Sequence, residues 1–274
     1  MTSPARRGFV DTSRGQLHYR RQGSGAPIVM LQILPFTTEM FRPLMAELAA
    51  TGFDCVALDL MGYGHSDRRN EVWRVEDHAE TLAEALVALD VRPACLVSGH
   101  FTAMVASEFA IRHPDRVERL LLDGVPLWPR LVAKERLAQP RPLSVWTANG
   151  EEIGALWASV IALLQKFDPE LLITEATTPL AAEAFFGFAA TALAPGSTEA
   201  IFQYDLESRL GALGTPTLVV ASPTDSLRNR HETAMALIDN ARQHVFEEVH
   251  PLYPLDRPER AAVYAAVIRD FVRG

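Results

Sequence analysis

Cys95-Leu96-Val97-Ser98-Gly99-His100-Phe101-Thr102-Ala103-Met104-Val105-Ala106 is an apolar run, a tight turn and the opening of a helix. A short continuous apolar run fits a strand buried on both faces, and small residues followed by helical spacing put a sharp corner directly after it. The same kind of run recurs at Pro27-Ile28-Val29-Met30-Leu31, Cys55-Val56-Ala57-Leu58-Asp59, Leu120-Leu121-Leu122-Asp123-Gly124 and Thr215-Pro216-Thr217-Leu218-Val219-Val220. Helical periodicity at 41–50, 75–89 and 104–112 separates the earlier runs. Strand and helix in alternation predict an α/β chain with a doubly wound, mostly parallel sheet.

At the N-terminal end, Phe9-Val10-Asp11 and Gln16-Leu17-His18-Tyr19-Arg20 flank Ser13-Arg14-Gly15, so an antiparallel hairpin is expected there. From residue 128 to 203 the alternation stops. Alanine-rich helical segments take over, with Trp128, Trp146, Trp157, Phe185, Phe186 and Phe188 among them. The strand–helix order resumes at Tyr204, which divides the chain into a core of residues 1–127 and 204–274 and an inserted helical segment of residues 128–203.

Composition excludes several classes. A chain of 274 residues, 48% of them hydrophobic, can bury a full core. A net charge of −8 argues against nucleic acid or an anionic membrane as partner, and no apolar run reaches the length of a membrane span. Cys55 and Cys95 both sit in buried-strand runs, which fits free thiols in a reducing compartment. Basic Met1 to Arg7 is not followed by the apolar core of a signal peptide, so a cytoplasmic protein is expected. The expected partner is a small molecule; no cofactor or metal is required, and oligomeric state is left open.

The turn at 99–103 resembles the G-x-S-x-G nucleophile elbow of the α/β-hydrolase fold superfamily. Met61-Gly62-Tyr63-Gly64-His65-Ser66-Asp67 is similar to that family's D-x-x-G-x-G-x-S-D segment, in which glycines set turns and the acids cap a loop. His65 and His113 read as structural residues. The resemblance implies a helical cap at 128–203, with Trp128 at its start beside the substrate. It puts the triad acid at Asp225, in the loop Ala221-Ser222-Pro223-Thr224-Asp225, and the triad histidine at His250, one strand later. Gln32 and Ile33 stand where relatives carry a histidine-glycine pair, and Leu34 stands where a backbone N–H enters the oxyanion hole.

In this alignment Phe101 occupies the serine position and Thr102 supplies the second oxyanion N–H. Phenylalanine has neither a lone pair nor an acidic proton, so no acyl-enzyme can form on it. His100, just before it, is expected to point away from the pocket. Asp123, at the carboxyl end of its strand, stands about where some relatives carry their catalytic acid, and is expected to bond the loop that follows.

A histidine oriented by a buried carboxylate still works as a general base without the serine. On this expectation Asp225 orients His250, Leu34 and Thr102 receive an oxyanion, and Phe101, Gln32 and Trp128 shape the pocket. The substrate would be a small, partly apolar molecule bearing a carbonyl or hydroxyl group. The chemistry would be of lyase, isomerase or cyclase type, water activation, or oxygenation without a cofactor. Two other readings stand beside it: a pocket that binds without turnover, and a hydrolase whose nucleophile has moved to Thr102 or Ser98.

Overall fold

The computed structural model describes residues 4–138, 147–193, 197–247 and 258–274. The strands are β1 (Arg6–Thr12), β2 (Gly15–Gly23), β3 (Ala26–Leu31), β4 (Phe53–Leu58), β5 (Ala94–Gly99), β6 (Val117–Asp123), β7 (Thr217–Ala221) and β8 (Ala241–Val245). They form one sheet in the order β1-β2-β4-β3-β5-β6-β7-β8. β1 and β2 pair antiparallel around a turn at Gly15, whose φ of 130° lies in the region that favours glycine, and this is the expected hairpin. β2 meets β4 antiparallel, and every later pairing is parallel.

The helices are α1 (Arg42–Ala50), α2 (Val75–Ala88), α3 (Phe101–Arg112), α4 (Arg130–Ala138), α5 (Glu151–Phe167), α6 (Thr178–Leu193), α7 (Ser197–Gln203), α8 (Leu206–Leu210), α9 (His231–Leu237) and α10 (Pro258–Arg273). Because successive side chains of a strand point to opposite faces, the apolar runs feed two cores. Val29, Leu31, Val56, Leu58, Leu96 and Leu120 pack against α2, α3, α8 and α9. Ile28, Met30, Cys55, Ala57, Cys95 and Val97 pack against α1 and α10, joined by Val160 and Leu164 of α5 and Ala181 and Ala184 of α6. Each fully buried Leu, Ile or Val contributes about 1.5–3 kcal/mol, so the doubly covered strands carry most of the stability.

Both cysteines are buried free thiols, and burial pushes each up to about 12. No described helix is long and apolar enough to cross a membrane. Helices α4 to α7 all lie between β6 and β7, in the stretch where the strand–helix alternation of the sequence lapses.

The fold places three segments side by side at the carboxyl ends of neighbouring strands: residues 32–38 after β3, the turn after β5, and Gly124 after β6. The loop after β7, with Asp225, completes the row. Ligands of open α/β sheets bind at this edge.

Candidate active site

The apex of the corner after β5 is His100. Its φ of 53° and ψ of −127° make it one of the non-glycine residues with positive φ among the described residues, and α3 begins at the next residue. Phe101 is therefore not the apex residue but the first residue of the helix, which corrects the alignment drawn from the sequence by one position. The physical reason lies in the strand: β5 pairs with β6 as far as Gly99↔Asp123, so the chain turns at residue 100. His100 N–H donates to the carbonyls of Asp123 and Gly124 at 3.0 and 3.1 Å, and Thr102 Oγ1 donates to Gly99 O at 2.9 Å and accepts from Gly99 N–H at 3.2 Å. These bonds hold a backbone conformation that costs of order 1–3 kcal/mol.

With the apex at residue 100, Nε2 of His100 lies 3.3 Å from Oδ1 of Asp225. Asp225 is buried, and its Oδ1 also accepts the N–H of Leu227 at 2.8 Å. Burial works against an imidazolium at His100, but the Asp225 carboxylate, with Asp123 adding, outweighs it and raises the His100 pKa above the ordinary histidine value. A carboxylate accepts only, so the ring donates from Nε2–H and keeps its basic lone pair on Nδ1. Gly124, at φ 68°, makes the approach possible: a Cβ there would stand 2.4 Å from Asp225 Oδ2 and 2.9 Å from His100 Nε2.

The other expected residues fall as follows. His250 lies outside the described residues, as does the whole stretch 248–257. Phe101 is buried, tilted against Tyr63 at 5.8 Å and edge-on to His78 at 5.6 Å, so its side chain is core and not pocket floor. Thr102 spends its hydroxyl on Gly99, and Ser98 is buried in the sheet, 3.4 Å from Leu121 O, so neither hydroxyl stands at the apex as a displaced nucleophile. The N–H that follows the apex belongs to Phe101, which moves that expected donor from Thr102 by one residue. Gln32 is buried and turns its Oε1 to the N–H of Leu60 at 2.9 Å, bracing the loop after β4. Leu34 is partly buried in the loop after β3, and Ile33 reaches under the corner, its Cδ1 2.9 Å from where a Cβ on Gly99 would be.

Trp128 is half-buried against Phe202, ring centroids 5.3 Å apart, and lines a cleft of about 390 Å³ with Phe202 and Tyr204 at the edge of α4 and α7. Asp123 accepts from the Tyr264 hydroxyl of α10 at 2.6 Å, a partner on the last helix in place of the following loop that the sequence pointed to among the described bonds.

Sequence reasoning missed a second histidine–carboxylate pair. Nδ1 of His18 lies 2.9 Å from Oδ2 of Asp59, both buried, and Asp59 also accepts the N–H groups of Thr38 and His65 at 2.8 and 3.1 Å. Three partners make this a structural hub: it ties the loop after β3 to the loop after β4. The signal was the acid that opens the D-x-x-G-x-G-x-S-D segment. Among the described residues no group of three or more His, Cys, Asp or Glu is placed to hold a metal ion.

Residues 26–152 match the family model for the alpha/beta hydrolase fold. A haloalkane dehalogenase of Agrobacterium fabrum is 32% identical over 134 residues, 46% of this chain and 44% of that protein. A cis-3-alkyl-4-alkyloxetan-2-one decarboxylase of Shewanella oneidensis is 26% identical over 157 residues, 56% of this chain and 48% of that protein. The chain thus spans less than half the length of these curated relatives. The enol-lactonase from Burkholderia xenovorans LB400 superposes with a TM-score of 0.74 at 21% identity, covering 97% of this chain and 100% of that one, a likeness of fold. By its sheet order and by the matched segment, the chain has the α/β-hydrolase fold.

Proposed function

We propose that this chain is an enzyme without a serine nucleophile, working by general-base catalysis from the His100–Asp225 pair on a small, partly apolar molecule that bears a carbonyl or hydroxyl group. The observation that carries the reading is the position of His100: a strained apex at the end of a central strand, with a buried carboxylate 3.3 Å from its ring. Strain held by so many bonds is more often kept for a site than for packing. Asp225 fixes the tautomer, Nδ1 takes the proton from substrate or water, and the N–H groups of Leu34 and Phe101 receive the oxyanion. Helices α4 to α7 act as a cap that keeps water from the reacting atoms. General-base help of this kind is worth about a hundredfold to ten-thousandfold.

The relatives suggest where to begin a substrate screen: haloalkanes, four-membered lactones of the oxetan-2-one type, and enol-lactones. Wild type, His100→Ala, Asp225→Asn and His250→Ala are assayed on that panel and on p-nitrophenyl acetate. The expected result is turnover lowered at least about a hundredfold by His100→Ala and Asp225→Asn, with no label from a fluorophosphonate reagent. Turnover that survives both substitutions sinks the reading. Loss in His250→Ala alone returns the base to position 250, and tight binding with no conversion of any compound makes the pocket a receptor.

A further inference from the structure

Helix α6 closes on the loop after β3 through a cluster that the apex does not use. Oε1 of Glu183 accepts from the Thr37 hydroxyl at 2.6 Å and lies 2.8 Å from Nε2 of His65. Phe186, one turn along, stacks on the His65 ring with centroids 4.6 Å apart and planes 19° from parallel. At the next residue the helix comes so near the loop that a Cβ on Gly187 would stand 2.1 Å from the carbonyl oxygen of Pro35. Phe188 meets Phe36 edge-on at 6.5 Å. Three consecutive loop residues after Leu34 are thus touched by one helix.

We infer that Glu183 is a positioning residue: through Thr37 it holds the segment that presents the Leu34 N–H, and through His65 it locks α6 over that segment in a pH-dependent way. The inference rests on the oxyanion role given above to Leu34.

His65 is half-exposed, so protons reach it. The groups that face it are Glu183 and Phe186 of α6, His18 and Arg20 of β2, and Asp59 behind its backbone, with Arg68 over the Phe186 ring. The Glu183 hydrogen bond raises the His65 pKa, against the opposing pull of burial. Burial pushes the Glu183 pKa up, but its bonds to His65 and Thr37 outweigh that and lower it. A group raised on folding stabilises below its ordinary value and stops doing so as pH rises through the raised one; a lowered carboxylate does the reverse on the acid side. The lock is therefore closed between the lowered Glu183 titration and the raised His65 titration, and it loosens on the alkaline side.

The test is amide hydrogen exchange, expressed as protection factors, over residues 33–38 and 181–190 at about pH 5 and about pH 8, on either side of the ordinary histidine titration. Wild type is expected to lose about tenfold protection in both segments at the higher pH, and Glu183→Gln and His65→Gln to sit at the lower value at both. Thr37→Val, which leaves the His65 pair in place, is expected to lose protection at 33–38 alone, with Thr37→Ser restoring it. A wild-type pH step that persists unchanged in Glu183→Gln overturns the lock. If the Glu183 and His65 variants fail to fold, Thr37→Val decides, since unaltered protection there overturns the inference as well. In p-nitrophenyl acetate turnover, Thr37→Val should lower kcat with KM unchanged, and an unaltered kcat with a loosened loop overturns the positioning role. An absence of turnover in the wild type counts against the catalytic reading and leaves the exchange test standing.

Discussion

Nε2 of His100 lies 3.3 Å from Oδ1 of Asp225, so the residue at the apex of the corner after β5 touches the acid after β7 directly. In a serine triad a third residue stands between these two positions. Here the apex imidazole itself reaches the acid. The consequence is a base at the place where a nucleophile would stand, with its lone pair on Nδ1 when Nε2–H is held by the carboxylate.

Substitution at the apex separates this arrangement from the one-residue-shifted alignment. His100→Ser puts a hydroxyl on the strained corner, and with a histidine at position 250 it restores the ordinary serine, aspartate, histidine order. His100→Ser is expected to gain p-nitrophenyl acetate hydrolysis and fluorophosphonate labelling at residue 100. Phe101→Ser is expected to gain neither, because that side chain faces Tyr63 and His78. Labelling of residue 101 in the second variant would reverse the assignment.

Phe101→Ala tests the same point through stability. The ring is buried and packed between two other rings, so its removal leaves a cavity and should cost about 3–5 kcal/mol. Urea unfolding should show the midpoint moving with an unchanged slope. A loss under about 1 kcal/mol would mean that the ring borders a solvent-filled pocket and not the core.

Much of the fold is legible in the sequence because buried parallel strands are written as unbroken apolar runs, and the runs at Val29, Val56, Leu96 and Leu121 each became a central strand. The apex was not legible to one residue. Gly99 and Ala103 flank Phe101 at the spacing the elbow wants, yet Ser98 and Thr102 flank His100 at the same spacing and are small too. What decides between them is backbone conformation: histidine enters positive φ several-fold more readily than most residues, and phenylalanine does not. The hub at Asp59 and the cluster at Glu183 were hidden for another reason. Their members are 41 and 118 residues from their histidine partners, and no local pattern links positions that only the folded sheet brings together.

The pH dependence of turnover follows from the direction in which His100 is shifted. The base works only when neutral, and Asp225 raises its pKa against the opposing effect of burial, so the acid limb of the rate profile should lie above the ordinary histidine value of about 6.5. For stability the sign is opposite: the pair stabilises the protein fully below that ordinary value, and the gain is lost as pH rises through the raised one. In Asp225→Asn the limb should move to lower pH while the plateau falls. An NMR titration of His100 checks the shift without a substrate, and a pKa unchanged by Asp225→Asn would mean that the 3.3 Å contact carries no charge coupling.

Gly124→Ala is the most economical probe of the whole arrangement, because residue 124 controls the contact between base and acid. Its φ of 68° is costly for alanine, and the new Cβ would meet Asp225 Oδ2 at 2.4 Å and His100 Nε2 at 2.9 Å. Neither neighbour yields freely: the Asp225 carboxylate is tied to the Leu227 N–H at 2.8 Å, and the His100 backbone is fixed to Asp123 and Gly124. The side chains must part, so the variant is expected to fold, at a cost of about 1–3 kcal/mol from the strained backbone, and to lose the raised His100 pKa. Turnover should drop toward that of Asp225→Asn, and combining the two changes should add little, since both remove one interaction. Additive losses in the double variant would show that Gly124 acts on the rate by a route other than the His100–Asp225 contact.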